Sequence, residues 1–453
     1  MFSSLFLLLG ALAAISSVRG QSVIVPGAHW TDTSGNAIQA HGAGIFKVGN
    51  TFYWVGEDKS HNSALFKAVS CYSSTDLVKW SRNNDALTPI ANTMISTNNI
   101  VERPKVIFNS KNQEYVMWFH SDSSNYGAAM VGVATAKSPC GPYTYKSSWK
   151  PLGADSRDEG LFQDDDGTSD KVSLRTAYLL YASDNNQNFK ITRLDDNYYN
   201  VTTTASQLNG ATLEAPGIVK RNGVYWLLAS HTSGWAPNPN KAFHATSLSG
   251  SWSSEADIAT ESVRTWYSQN AYDLPLGSNA IYMGDRWRSD LLGSSTYIWY
   301  PLDFSSGSPQ LIHADVWSVN LAAGTWSVAS GTTYEAEKGT RSGSSTLLSD
   351  SSFSGGQAVG YLGNGGSVSI TVQGRGAAQW VALYFANGDS SWRNTTVSVN
   401  GGSPVWVDQP STGGGHVIIS VPVQLNLNSG SNTITFSAGQ SNYAADLDKI
   451  IVY

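Results

Sequence analysis

Glu214-Ala215-Pro216-Gly217-Ile218-Val219, a turn at Arg221-Asn222-Gly223, and Tyr225-Trp226-Leu227-Leu228 make one short unit. Two apolar runs flanking an Asn-Gly turn predict a β-hairpin. The layout recurs on both sides. Upstream lie His41-Gly42-Ala43-Gly44-Ile45-Phe46 with Thr51-Phe52-Tyr53-Trp54-Val55-Gly56, and Glu102-Arg103-Pro104-Lys105-Val106-Ile107 with Tyr115-Val116-Met117-Trp118-Phe119. A third copy joins Asp158-Glu159-Gly160-Leu161-Phe162 to Tyr178-Leu179-Leu180-Tyr181, and a weaker fifth runs from Gln269 to Tyr300. The starts near 41, 102, 158, 214 and 269 repeat at roughly 55 to 60 residues, which predicts an all-β, five-bladed propeller of four-stranded blades. The first strand of each blade lines the central channel. His41, Glu102, Asp158, Glu214 and Gln269 would then converge on one mouth. In the third unit Asp164-Asp165-Asp166-Gly167 reads as a solvated structural turn, and Thr168 to Arg175 as an exposed extension of that hairpin.

Composition agrees with a large secreted β protein. The 453 residues are enough for two or three domains. Only 14% are charged, and 16 Trp stand among abundant Gly, Ser, Thr and Asn. Aromatic and hydroxyl-rich surfaces suit sugars, whose C–H faces stack on rings. The net charge of −6 argues against nucleic acid or an anionic membrane as partner. Residues 1–20, with Leu5-Phe6-Leu7-Leu8-Leu9 and a small-residue run, read as a signal peptide, with the mature chain starting near Gln21 and destined for the extracellular space. Asn200-Val201-Thr202 and Asn394-Thr395-Thr396 are glycosylation sequons. Cys71 and Cys140 could pair in an oxidising compartment, though sequence alone cannot place them within bridging distance. Nothing demands more than a monomer.

At the predicted mouth, glycosidic hydrolysis would need an acid and a second group to handle water. Glu214 sits in an apolar Ala-Pro-Gly-Ile context, where burial would keep it protonated as general acid. Asp158 is the natural group to tune and orient it. Glu57, Glu102, Tyr126 and Thr232 are the candidate substrate contacts, with Trp235 as a stacking ring. After Trp326 the composition shifts to Gly, Ser, Thr and Val. Residues 21–328 would form the propeller and 329–453 a β-sandwich. Glu335 with Glu337, and Asp446 with Asp448, each put two carboxylates on one strand face. Adjacent terminal strands would gather these hard oxygen ligands around calcium.

Two resemblances sharpen these expectations. Asp158-Glu159-Gly160-Leu161-Phe162-Gln163-Asp164-Asp165-Asp166-Gly167 and Leu213-Glu214-Ala215-Pro216 resemble the acid-tuning and general-acid motifs of glycoside hydrolase family 43 over residues 25–325. The likeness implies a five-bladed propeller and inverting hydrolysis. The family's general base is an Asp on the first blade strand, but Gln39-Ala40-His41-Gly42-Ala43 has no carboxylate there. With Glu57-Asp58 and Val101-Glu102-Arg103-Pro104, this pattern is similar to the branch containing fungal exo-β-1,3-galactanases. That branch implies galactose release from β-1,3-galactan, including arabinogalactan-protein main chains, with an amide in place of the base. Gln269 is the candidate amide, acting as an imidic tautomer or by positioning water. The alternatives are another activity of the family, arabinofuranosidase or xylosidase, and a lectin-like propeller that only binds. Residues 333–453 resemble carbohydrate-binding module family 35, through Tyr334-Glu335-Ala336-Glu337, Tyr384-Phe385-Ala386-Asn387-Gly388 and Asp446-Leu447-Asp448. That likeness implies a structural Ca2+ on Glu335, Glu337 and Asp448. It also implies a sugar site drawn from Tyr361, Asn387, Asp389, Trp392, Arg393, Tyr443 and Asp446, with Trp392 exposed in its loop.

Overall fold

The computed structural model describes residues 22–165 and 174–453. The leader reading at residues 1–20 and most of the predicted hairpin extension lie outside the described residues.

Five four-stranded antiparallel sheets follow one another along the chain. Blade 1 comprises His41–Val48, Thr51–Glu57, Val69–Ser74 and Ser81–Leu87, and blade 2 Asn99–Asn109, Glu114–Ser123, Met130–Ala136 and Thr144–Trp149. Blade 3 comprises Glu159–Gln163, Ala177–Ser183, Asn188–Leu194 and Val201–Asn209. Blade 4 comprises Leu213–Arg221, Val224–His231, Lys241–Ala245 and Ala256–Asp257, and blade 5 Gln269–Leu276, Asn279–Arg286, Thr296–Asp303 and Gln310–Leu311. The hairpin that opens the sequence reading closes as its residues require. Asn222 and Gly223 both take positive φ (48° and 78°), the backbone an Asn-Gly turn supplies at little cost.

Apolar side chains alternate into the gaps between neighbouring blades. Val55, Cys71, Met117 and Phe119 fill the gap between blades 1 and 2, Trp118, Leu179 and Tyr181 that between blades 2 and 3. The ring closes where blade 5 meets blade 1. There Trp54 packs on Trp80 and Trp299 at 5.1 and 4.9 Å, and Trp317 lies fully buried beside them. Each buried indole removes roughly 200 Å² from water, worth about 5 kcal/mol before entropic costs. Ile24 pairs with Trp317 through bonds of 2.7 and 3.1 Å, tying the start of the described chain to the hairpin Trp317–Asn320/Thr325–Val328. Cys71 and Cys140 form a disulfide joining blade 1 to the loop before the last strand of blade 2.

The first strands crowd the axis, and glycine makes room. A Cβ on Gly160 would lie 2.5 Å from the Pro216 carbonyl, and one on Gly217 2.1 Å from Asp273. A second device recurs just above. The register slips by a bulge after His41, Glu102 and Glu214, and the next residue is left-handed each time: Gly42 at 55°, Arg103 at 51° and Ala215 at 56°. A bulge re-aims the side chain before it. Three blades thus turn their opening residue toward the mouth in the same way.

The C-terminal region is a curled, nine-stranded antiparallel sheet that wraps a core of Val368, Ile370, Leu383, Phe385, Ile434, Phe436 and Ile450. Its first strand, Thr332–Glu335, pairs with its last, Asp446–Val452. It abuts the propeller through Asp315, whose carboxylate accepts from Ser420, Tyr384 and Tyr453 at 2.5, 2.7 and 2.9 Å.

Candidate active site

A cavity of about 230 Å³ opens at the mouth, walled by residues of all five blades. Glu57, Glu102, Tyr126, Asp158, Glu214, Trp235 and Gln269 from the sequence reading line it. Thr232 does not: it is exposed on the adjoining loop, and Gly234 and Trp235 form the wall there. His41 sits below, fully buried, its Nδ1 3.0 Å from Asp285.

Arg103 organises the cavity. Its backbone N–H donates to Glu57 at 2.8 Å. The guanidinium meets Asp158 at 2.6 Å through Nε, the Asn270 carbonyl at 3.0 Å through Nη1, and Gln269 Oε1 at 2.6 Å through Nη2. Trp287 Nε1 donates to the same Gln269 oxygen at 3.0 Å. Arg and Trp can only donate, so they fix which end of the amide is oxygen. Gln269 Nε2 then donates to Glu214 Oε1 at 3.3 Å and to Ser230 Oγ at 3.1 Å. Asp158 Oδ2 accepts from the Ala215 N–H at 3.1 Å, which ties blade 3 to the residue after Glu214.

The electrostatics separate the carboxyl groups. Burial, reinforced by the Asp158 charge, pushes Glu214 up to about 8, so it is protonated at neutral pH. Burial also opposes ionisation of Glu102, but Lys59 and His120 outweigh it and hold that carboxyl down at about 2. His120 lies 2.9 Å from Asp122 and 3.5 Å from Glu102. Against burial, these carboxylates hold its imidazole up at about 9. Burial raises Glu57, although Lys59 at 2.7 Å opposes the shift. Tyr126 donates its hydroxyl to Glu102 at 2.9 Å. Among the described residues, Glu102, His120 and Asp158 are the one set bringing three ligand-type atoms within 4.8 Å of one another.

A protonated acid beside an oriented amide, in a pit lined by an anionic acceptor and indoles, fits cleavage of a sugar acetal. A family model of glycosyl hydrolases family 43 matches residues 39–272. The chain belongs to glycosyl hydrolases family 43. It is 77% identical, over 95% of this chain and all of that one, to an exo-β-1,3-galactanase from Phanerochaete chrysosporium, seen as a variant with β-1,3-galactotriose (TM-score 0.92). It is 27% identical to the exo-β-1,3-galactanase 1,3Gal43A from Clostridium thermocellum over 95% of this chain and all of that one, with a TM-score of 0.63. A putative exo-β-1,3-galactanase from Bifidobacterium bifidum is 32% identical over 64% of this chain and 97% of that one, with a TM-score of 0.60. Among curated proteins none matches the chain.

This family 43 cavity also contains residues that the sequence reading left without a role: Arg103, His120, Trp287, Arg157 and Asn186. A signal for some of them was present. In four blades the opening residue pairs near the end of the second strand: His41↔Glu57, Glu102↔His120, Glu214↔Ser230 and Gln269↔Asp285. Polar residues ending apolar second strands therefore mark the second ring of the site. Asp164, read as a solvated turn, is buried instead. It accepts from Lys220 at 2.7 Å and Tyr225 at 2.6 Å, clipping blade 3 to blade 4.

In the C-terminal region two sugar-site readings need correction. Asn387 is fully buried, and its amide is spent on the Ser391 and Gln409 carbonyls at 3.0 Å each, so no face remains for a sugar. Trp392 is half-buried rather than exposed. It meets Tyr267 of the propeller edge-on at 5.6 Å and lies under the Arg288 guanidinium at 5.2 Å. The remaining candidates do cluster. Tyr361, 47% exposed, packs edge-on against Tyr443 at 5.2 Å. Arg393 pairs with Asp389 at 2.6 Å and donates to the Ala444 carbonyl at 3.1 Å. Burial raises Asp446 to about 6, with Arg393 opposing. At the other acidic group, Glu335 Oε2 and Glu337 Oε2 are buried without hydrogen-bond partners. Asp448 accepts from the Ser354 N–H at 2.7 Å, and burial lifts it to about 6, with Glu335 and Glu337 adding repulsion.

Proposed function

We propose that this chain is a secreted, exo-acting β-1,3-galactanase that releases galactose with inversion of configuration. Glu214 is the general acid. The observation that carries this reading is its burial within hydrogen-bond reach of Gln269, at 3.3 Å, in a pit whose other carboxyl groups are engaged by Lys59, Arg103 and His120. Glu214 would protonate the departing glycosidic oxygen. Asp158 tunes it through charge and holds the Ala215 backbone.

Gln269 takes the place of the carboxylate base as the group that orients the attacking water. An imidic form would put a proton on Oε1. Arg103 and Trp287 both donate to that oxygen, and neither can accept, so the proton has nowhere to point while those bonds stand. The contact from Nε2 to Glu214 is the longest of the amide's four and the one a substrate most readily replaces. The ionised Glu102, held by Lys59 and His120, is suited to accept sugar hydroxyls, with Trp235 and Trp287 as apolar walls.

The C-terminal region is read as a family 35 carbohydrate-binding module. The orphaned oxygens of Glu335 and Glu337 beside a repelled Asp448 are the donor chemistry a hard cation satisfies, so these three residues would hold Ca2+ there. The ion would supply structural charge balance, remote from hydrolysis. Tyr361, Tyr443, Asp389, Arg393 and Asp446 are the sugar-binding candidates that remain.

Proton NMR of the first turnover of β-1,3-galactotriose tests the reading. α-Galactose should appear first, with galactobiose as co-product. First-formed β-galactose would overturn inversion. Absence of any product would favour a lectin-like propeller.

A further inference from the structure

The segment that delivers Gln269 is wound the wrong way. Arg264, Thr265, Trp266 and Tyr267 have φ of 47°, 54°, 51° and 56°. Four consecutive residues with side chains thus occupy the left-handed region, where each Cβ crowds its own backbone. Such a turn persists only when its surroundings over-determine it.

Two sets of contacts do so. The first comes from the propeller. Asn240 donates from its backbone and side chain to Thr265 Oγ1 at 2.8 and 3.0 Å, and from its side chain to the Ser268 carbonyl at 3.1 Å. Its Oδ1 accepts from the Asn270 N–H at 3.0 Å. One buried amide therefore spans the turn and both flanks of Gln269. Arg286 adds a bond to the Trp266 carbonyl at 2.8 Å.

The second set comes from the C-terminal domain. Tyr267 is buried as a member of that domain's own apolar core, with Val263 and Trp266 packed beside it. Trp392 closes on Tyr267 edge-on, and Arg288 over Trp392 pairs with Asp408. Arg264 donates to the Ser411 carbonyl at 2.7 Å, and a Cβ on Gly413 would come within 3.1 Å of its guanidinium. Trp266 stacks on His313 at 5.0 Å and 16°, and His313 in turn faces Tyr384.

We propose that the C-terminal domain is part of the frame of the hydrolytic site: Trp392 and the Ser411–Gly413 loop hold the left-handed turn Arg264–Tyr267 wound, and the turn sets where Gln269 stands against Glu214. Trp392 is then a positioning residue. The inference rests on the reading of Gln269 as the water-orienting group. It makes the sandwich necessary for turnover even on a substrate too short to gain from tethering.

The test uses the full chain and β-1,3-galactotriose. Trp392→Ala should lower kcat at least tenfold with KM changed by no more than about twofold, since a misplacement on the order of 1 Å is costly at a reacting centre. Trp392→Phe should restore most of kcat. The alkaline limb of the pH profile should stay in place, because the burial of Glu214 and its neighbour Asp158 are untouched. Arg264→Met, which removes the bond to Ser411 and the guanidinium that lies 5.2 Å over the Tyr267 ring, should act in the same direction and serves if Trp392→Ala fails to fold. Wild-type kcat on the triose in a folded variant, or a loss confined to polymeric galactan, overturns the proposal. Gln269→Ala runs in parallel. If it keeps wild-type turnover, the reading of Gln269 falls. If it loses turnover while Trp392→Ala does not, the positioning role falls alone.

Discussion

Replacing Asp158 by Asn should move the alkaline limb of activity to lower pH. A general acid at Glu214 would work only while protonated, so turnover should fall as pH rises through its value of about 8. Burial is the larger cause of that value and survives the substitution; the Asp158 charge is the second and does not. The Ala215 N–H, one residue from Glu214, lies 3.1 Å from Asp158. Two charges roughly 6 Å apart at an effective dielectric of ~20 repel by about 2.8 kcal/mol, or ~2 pH units. Removing Asp158 also frees the Arg103 guanidinium, now 2.6 Å from that carboxylate, to favour the ionised form of Glu214. Both changes act in one direction. The limb should move from near 8 to about 6 or below. The assay is kcat against pH on β-1,3-galactotriose, at saturating substrate. The plateau will also drop, since Arg103 holds Gln269, so the limb position is the diagnostic quantity. A limb that stays near 8 in Asp158→Asn would refute the tuning role, and one that persists in Glu214→Gln would show that another group sets it.

Gln269→Ala should lower kcat about 100-fold or more, the scale of a lost orienting group. Gln269→Glu should retain part of the activity, because Arg103 at 2.6 Å would hold the introduced carboxylate ionised; a Glu variant no better than Ala would count against a water-handling role. Chelation of calcium should lower the melting transition of the C-terminal domain, and Glu335→Gln should blunt that response; a transition indifferent to chelator would remove the metal. Glu159 is fully buried with both carboxyl oxygens unpartnered, and burial raises it to about 8. Its neutral form is compatible with the fold, so its stabilising contribution is complete below the unfolded value near 4.5 and is lost as pH rises through 8. Glu159→Gln should flatten the decline in melting temperature across that window, and an unchanged slope would disprove the assignment.

The propeller was legible because its period is written in local signals. Asn222-Gly223 needs nothing beyond its own backbone to turn, and alternating aromatics need only a neighbouring blade to bury them. The meeting of Glu214, Asp158 and Gln269 at one mouth was legible for the same reason: each opens a repeat. What stayed hidden depends on contacts between units far apart in sequence. Asp164 looks like a solvated turn until Lys220 and Tyr225, from the next blade, close over it. Trp392 sits in a polar, glycine-bearing loop, the setting of an exposed ring, and only the docking of two domains turns it against Tyr267. The amide of Asn387 is consumed by carbonyls on either side of its loop, which no spacing rule reveals.

Arg103 shows why an amide suits position 269. It is the second residue of a quoted motif, yet its role comes entirely from other blades. It bonds Glu57 of blade 1, Asp158 before blade 3, and Gln269 and Asn270 of blade 5, and Asp158 carries the chain of bonds on to blade 4. One guanidinium thus serves Asp158, Gln269 and the Asn270 carbonyl, while the backbone N–H of the same residue serves Glu57. Were the acceptor at 269 a full carboxylate, it would compete with Asp158 for that guanidinium while standing within hydrogen-bond reach of Glu214. The added charge would raise Glu214 further and weaken it as a proton donor. A neutral oxygen accepts from Arg103 and Trp287 without that penalty and still leaves an N–H directed at the acid. In this pit the amide spares Glu214 a further negative neighbour while keeping an N–H aimed at its carboxyl group.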